Sequence, residues 1–488
     1  MSARAFWTAF AGLALITLLP ILVTEIPAFA DYPNHLARAR VLAHFDESPF
    51  FGTFFRPAWA ILPNILTDLL MVGAAKLLPI TVAGRLVLSL IVVTIGAGFA
   101  FARREATGGY DALGFGGLLL VYGFPLTMGF LNFSLGVGLL LALFGLHLRL
   151  RERGSALYLA VMVPAGIVLF LCHLMAFALF GLVVLAWELA AGDRTRPVVA
   201  IGRLVVVAAI PAVLFKLSPT NGQVSTWDAS SVSLKLKAIP LTFATGRLLT
   251  DLFIGSFAIG FVALAFGRSR WTRPTMAVLV LLLAIFLIAP FGLGTTKNLD
   301  NRIPYVLALF ALALVVPSTK DAVPRLPALV VGAVLIHSGM LTIDSWQRGK
   351  AIDALRTQLR GLPQGSMLFN VIDPAEPVWS ESTWNPPLPS AHTLALVDGE
   401  VFPSGLFMIP GQQPLLIRRG LEAAYWARSE PNPDPVALAD EIARNLSPLP
   451  AEIRTRPRFL MVCGPREPKP GLPIVATGPR YAIYRLSP

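Results

Sequence analysis

The chain has 488 residues, of which 55% are hydrophobic and only 14% charged, and its formal net charge is +12. A soluble domain carries about a quarter charged residues, so a soluble enzyme is excluded. The length accommodates a large membrane domain plus one soluble domain. Mean hydropathy is +0.68, and the apolar runs recur at the roughly 17 to 25 residues that a hydrocarbon core of about 30 Å demands. They show no period-2 alternation, which favours helices over a transmembrane barrel. The basic excess does not point to nucleic acid. It falls in short clusters between apolar runs, Arg103/Arg104, Arg149/Arg151/Arg153, Arg194/Arg196/Arg203, Arg268/Arg270/Arg273 and Lys320/Arg325, the footprint of the positive-inside rule. Cys172 and Cys463 are the two cysteines, one in an apolar run and one in the tail, which argues against a disulfide framework or a zinc site.

A consistent threading places every basic cluster in the cytoplasm. A first helix spans about 6–27 and delivers Asp31 to the far side. Arg4, the apolar run and Ala28-Phe29-Ala30 before Asp31 also resemble a secretory signal with its cleavage site. The length of the run, Glu25 and Pro27 argue for a retained helix. Residues 31–80 form a long external segment whose apolar stretch 60–79 carries Pro63, Asp68 and Lys76. If that stretch spanned, Arg103/Arg104 would fall outside, so it reads as an interfacial or re-entrant helix. The remaining spans are about 82–101, 112–128, 131–147, 156–172, 174–190, 199–217, 248–266, 275–291, 303–317 and 326–342, about eleven transmembrane helices in all. Residues 218–247 and 292–302 are further external segments.

From about Ile343 the composition turns Pro-rich and mixed. Met367–Ile372, Phe459–Cys463 and Tyr481–Arg485 read as strands, and Pro435–Leu446 as an amphipathic helix. The fold class is therefore mainly α: a polytopic membrane domain over 1–342 and a soluble α/β or α+β domain over 343–488 on the periplasmic side.

The segment Asp31-Tyr32-Pro33-Asn34-His35-Leu36-Ala37-Arg38 carries the densest chemistry. Asp31 and Pro33 suit a helix start, and Asp31, His35 and Arg38 then share one face. A carboxylate, an imidazole and a guanidinium together can deprotonate a hydroxyl and hold a phosphate. The competing possibility is a plain helix cap with His35 and Arg38 among lipid headgroups. Asp300-Asn301-Arg302-Ile303-Pro304-Tyr305 opens a late helix, with Lys297 nearby. Two cations border this mouth, as phosphate ligands or as snorkelling anchors. Asn132 and His173 interrupt apolar runs at the membrane level of Asp31. Intramembrane polar groups are functional candidates, although a turn or inter-helix hydrogen bond also accounts for them. Asp228, His392 and the Trp227/Trp379/Trp384 set are weaker candidates for an acceptor path.

A membrane helix followed at once by an acidic residue opening an external loop resembles the GT-C superfamily of glycosyltransferases. So does the layout of many spans, a large first external loop and a C-terminal periplasmic domain. The Asp300–Tyr305 motif resembles the arginine-containing helix start of family 39-like members near the donor phosphate. The resemblance implies Asp31 as general base and a donor phosphate held near Arg302, with Arg38 or Lys297. His35, on the same helix face, joins Asp31 as a catalytic candidate, Asn132, His173 and Asp300 are further substrate-binding candidates, and no cofactor is expected. The donor would be a polyprenyl-phosphate sugar, and the acceptor a lipid, glycan or protein at the periplasmic face of a bacterial inner membrane. Membrane lipids are implied partners and nucleic acid is not. Asp31 is followed by Tyr32, and the turn near 129–134 offers Asn132 rather than a carboxylate, so a metal-independent reaction is expected; that it inverts is what the resemblance implies. A transporter or lipid flippase is the main alternative and a receptor or assembly protein the third. A transporter calls for polar or broken helices converging at mid-membrane, whereas the polar residues gather at predicted external ends. No P-loop, dinucleotide fingerprint, HExxH, GxSxG or CxxC motif occurs in a suitable context.

Overall fold

The computed structural model describes residues 1–192, 195–223, 226–294, 296–317, 325–373, 389–426, 428–464 and 467–486; Arg194, Lys320, Trp379 and Trp384 lie outside the described residues. The chain forms two compact units. The first comprises Met1–Leu22, Ala60–Thr67 and Leu88–Ile343, and the second Val23–Trp59, Asp68–Val87 and Asp344–Pro488.

The first unit is mainly helical, with two short strand pairs, Trp227–Asp228 with Gly292–Leu293 and Ser269–Arg270 with Val316–Pro317. Among the described residues, six helices are long and apolar enough to cross a membrane: Ala3–Leu22, Ile80–Thr107, Leu131–Leu150, Ser155–Cys172, Arg196–Leu217 and Leu326–Arg360. Of these, Ile80–Thr107 and Leu326–Arg360 lie partly in the second unit. Leu174–Ala190 and Arg273–Ile288 are apolar but shorter, at 17 and 16 residues, and Ile303–Leu314 has 12. The first helix ends at Leu22 rather than near 27. The span expected over 112–128 is broken into a 3-10 turn, Ala112–Phe115, and two short helices, Gly116–Leu120 and Phe124–Thr127. Gly123 stands at the break, where a Cβ would meet the Tyr305 ring at 2.5 Å, and Pro125 follows in the first turn of the next helix. Pro lacks the amide that would continue the preceding helix.

Small residues set the closest helix approach. A Cβ on Gly98 would strike the Gly138 carbonyl oxygen, and one on Gly138 would lie 2.7 Å from the Ile95 nitrogen. Backbones in lipid gain van der Waals contact in this way. Around this crossing Phe99, Phe144, Leu140, Leu309 and Phe310 form one buried cluster. Arg103, 1% exposed, pairs with Asp111 at 2.6 Å and donates to the carbonyls of Leu312, Ala313 and Val315. It thereby satisfies the orphan carbonyls that end Ile303–Leu314.

The second unit contains a mixed sheet. Its strands are β2 (Met367–Ile372), β3 (Phe402–Pro403), β5 (Arg428–Ser429), β6 (Arg458–Cys463), β7 (Ile474–Gly478) and β8 (Tyr481–Arg485), and a separate ribbon pairs β1 (Phe55–Pro57) with β4 (Leu415–Ile417). The sheet order is β7-β8-β6-β2-β3, with β5 also on β2. β2 is parallel to β6, β3 and β5, while β8 runs antiparallel to β6 and β7. The expected strands at 367–372, 459–463 and 481–485 and the expected helix Pro435–Leu446 are all present. That helix is capped by Asp434 and buries Leu438, Ile442 and Leu446.

Charge clusters tie the second unit together. Arg356 donates to Glu25 at 2.7 Å and to both oxygens of Asp398, at 2.8 and 2.7 Å. Hydrogen bonding from Arg356 holds the Glu25 carboxyl below its ordinary value. Burial pushes Asp398 up, but Arg356 and Arg360 overcome it and leave that carboxyl lowered. The helix Leu66–Ala75, within the stretch expected to be interfacial, has 10 residues, about 15 Å, too short to cross a membrane. Gly84 allows a close approach, because a Cβ there would overlap Tyr32 Oη and lie 2.5 Å from Leu36 Cδ2. Tyr32 and Leu36 are fully buried. Gly84→Ala should therefore lower stability by about 1–3 kcal/mol, read as a lower thermal midpoint of the detergent-solubilised protein. An unchanged midpoint would show that Tyr32 yields.

Candidate functional site

In the second unit, Asp31 occupies the N-cap position of the helix Tyr32–Ala43, with Pro33 in the first turn. Its backbone is already in the helical region, and its side chain makes no capping bond. Asn34 and His35 amides donate to its carbonyl instead. Asp31 and His35 are half-buried. Arg38 is 2% exposed and donates through Nε and Nη2 to Asp68 Oδ1 at 2.9 and 2.7 Å, while Nη2 lies 3.1 Å from His35 Nδ1. Its Nη1 is buried with no protein acceptor. Burial pushes the Asp68 carboxyl above its ordinary value, and the Arg38 guanidinium opposes the shift.

Asp68 is the residue that sequence reasoning missed. It figured only as a polar break in an apolar stretch. A buried carboxylate needs a cationic partner, and that requirement is the signal that finds it. On the same helix, Asn34 Oδ1 accepts from the Phe407 amide at 3.2 Å, and Arg40 donates to the carbonyls of Leu396 and Gly399.

In the first unit, Arg302 closes the 3-10 turn Asp300–Arg302 that opens Ile303–Leu314. Asn298 upstream adopts a left-handed φ of 59°, which Asn tolerates, and its Oδ1 accepts from Asn301 at 3.0 Å. Arg302 is 7% exposed. Its Cζ lies 4.2 Å from the Phe130 ring centroid and 5.4 Å from that of Phe133, and Nη2 donates to the Lys297 carbonyl at 3.3 Å.

His173 sits in the one-residue break between Ser155–Cys172 and Leu174–Ala190. Residues of the 60–67 segment pin this break, the Ile65 amide on the Leu171 carbonyl and the Leu174 amide on the Pro63 carbonyl. The Met175 amide donates to His173 Nδ1 at 3.2 Å, and Arg302 Nη1 lies 3.3 Å from Nε2. Both neighbours are obligate donors, and a neutral imidazole has one acceptor nitrogen. With Nδ1 taken by the amide, an Nε2–H and the guanidinium converge. Such a pair suits an anion that accepts from both.

The other candidates are engaged elsewhere. Lys297 Nζ pairs with Asp228, so the second cation of the expected mouth is neutralised. Asp300 is fully buried, bonded to Ser230 and to the Asn301 amide. Asn132 Oδ1 accepts from the Thr67 amide at 2.9 Å and its carbonyl from Cys172 Sγ. His392 is buried and bonded through Nε2 to the Ser404 carbonyl, and burial pushes its imidazole down to about 4. Trp227 is exposed. Among the described residues, no three His, Cys, Asp or Glu side chains come together as a metal site requires.

No family model matches the chain, and no curated protein matches it significantly. Among solved structures, the crystal structure of ArnT from Cupriavidus metallidurans bound to undecaprenyl phosphate aligns with 100% of this chain and 99% of its own. The identity is 13% and the TM-score 0.55. From end to end, then, the chain shares the fold of ArnT, a polytopic helical membrane fold carrying a C-terminal mixed-sheet domain.

Proposed function

We propose that the protein is a GT-C-type glycosyltransferase that moves a sugar from a polyprenyl-phosphate donor to a lipid, glycan or protein acceptor at the periplasmic face of a bacterial inner membrane. The observation that carries this reading is the end-to-end fold likeness to a protein with undecaprenyl phosphate bound. The paired donors of Arg302 and His173 support it, because a phosphodiester oxygen satisfies both. Arg38, with its buried Nη1, is a further phosphate-binding candidate.

In the proposed reaction Asp31 takes the proton of the acceptor hydroxyl, and the acceptor oxygen bonds to the sugar anomeric carbon. The bond from that carbon to the phosphate oxygen breaks, inverting the centre. The lipid phosphate leaves with the electron pair and needs no strong acid. His35 orients the approach, and no metal takes part.

The test is Arg302→Gln. A charge-assisted hydrogen bond contributes about 1.5–3 kcal/mol, so binding of undecaprenyl phosphate to the purified protein should weaken about 10- to 150-fold. Unchanged binding in that variant would remove Arg302 from the donor site. Absence of binding by the wild type would remove the proposed donor class.

A further inference from the structure

Leu131–Leu150 and Leu174–Ala190 carry a second polar cluster at the ends remote from His173. Glu188 lies 15 residues beyond His173, about 22 Å along a helix. His147 and Glu188, both buried, meet at 3.0 Å through Nε2, and His147 Nδ1 meets Tyr158 Oη at 3.0 Å. Arg151 donates to the same Glu188 oxygen at 3.1 Å. Arg203 donates to the Arg151 and Arg153 carbonyls at 2.9 and 2.8 Å and to Ser155 Oγ at 3.2 Å, all neutral acceptors, and lies over the Tyr158 ring. Arg196 pairs with Glu152 at 3.4 Å. The proposed transfer reaction uses none of these groups.

His147, Arg151, Glu152, Glu188, Arg196 and Arg203 line a cavity of about 390 Å³, within the range of small-ligand pockets. Among the described residues, three guanidiniums, Arg151, Arg196 and Arg203, face two carboxylates, Glu152 and Glu188. The cavity is also edged by Val199, 47% exposed, on the helix Arg196–Leu217. Val198, Val205, Val206 and Val213 on that helix are likewise exposed, an apolar face suited to acyl chains. The arginine clusters assign this end to the cytoplasmic leaflet.

We infer that this cavity is a binding site for a phosphate-bearing anion, presented as the headgroup of an anionic phospholipid of the cytoplasmic leaflet. Guanidiniums supply paired donors to the phosphate oxygens, the buried Tyr158–His147–Glu188 chain fixes Arg151, and the exposed valines take the lipid tails. The inference is independent of the transfer reaction.

Native mass spectrometry of the full-length protein in neutral detergent tests it, with phosphatidylglycerol, phosphatidylcholine and inorganic phosphate as probes. Phosphatidylglycerol should be retained over phosphatidylcholine. Arg196→Gln on the rim and Arg203→Gln should each reduce its retention about fivefold, as expected for one basic residue at an anionic headgroup. Arg273→Gln, another exposed arginine of the same predicted side, should leave it unchanged. Displacement by millimolar inorganic phosphate would overturn the lipid assignment in favour of a soluble phosphate. Equal retention of both lipids, no loss in Arg196→Gln, or an equal loss in Arg273→Gln would overturn the site. If Arg203→Gln fails to fold, Arg196→Gln decides alone.

Discussion

Asp31→Asn should reduce sugar transfer by about 10²- to 10⁴-fold, the contribution of a positioned general base. Asparagine keeps the shape and hydrogen-bonding reach of the side chain and removes its basicity. The exchange is nearly isosteric, so it should leave the fold and donor binding near wild type. The measurement is transfer of a radiolabelled sugar in membranes from a deletion strain, with wild type and variant at matched expression. A rate loss with unchanged undecaprenyl phosphate binding assigns Asp31 to proton transfer. Wild-type rates would sink the assignment, and absence of any protein-dependent labelling would favour a transporter.

Asp68→Asn should destabilise the protein by about 3–5 kcal/mol, because it strands a charge out of water. Arg38 and Asp68 are 2% and 3% exposed, and two of the guanidinium's nitrogens rest on one carboxylate oxygen. The full desolvation penalty of the cation then falls on the folded state. A thermal midpoint several degrees lower in detergent is the expected readout. Removing both charges together, in Arg38→Met with Asp68→Leu, should recover most of the loss, since a buried pair exchanged for apolar side chains of similar volume is often neutral. A single variant as stable as wild type would show that the pair is solvated.

Much of this architecture was legible in the residues. Apolar runs and arginine clusters located the long helices, because membrane thickness and charge retention act on local sequence. In the soluble portion, Met367–Ile372 is an apolar run interrupted by Asn370 and Pro435–Leu446 a clear amphipathic pattern, and both formed as expected. Strands of two or three residues, such as Phe402–Pro403 and Arg428–Ser429, are too short for any periodicity. The break after Leu120 was signalled by Gly123 and Pro125 but lay hidden within an apolar run of spanning length. Arg302 and His173 were each singled out from their positions in the chain, yet their meeting depends on partners 129 residues apart. The pairings of Arg38 with Asp68 and of Lys297 with Asp228 are likewise tertiary, across 30 and 69 residues. No local pattern encodes them.

The buried guanidinium of Arg103 has a consequence for how the chain is made. Its salt-bridge partner Asp111 lies only eight residues on, but the carbonyls it caps begin 209 residues later. At about 5–20 residues per second, the ribosome would need roughly 10–40 s to supply them. Over that interval the second long helix waits with a neutralised but incompletely satisfied cation at its end. The nascent protein thus holds an open socket, and arrival of Ile303–Leu314 fills it, so that a charge which first orients a helix in the membrane later certifies that the bundle has closed.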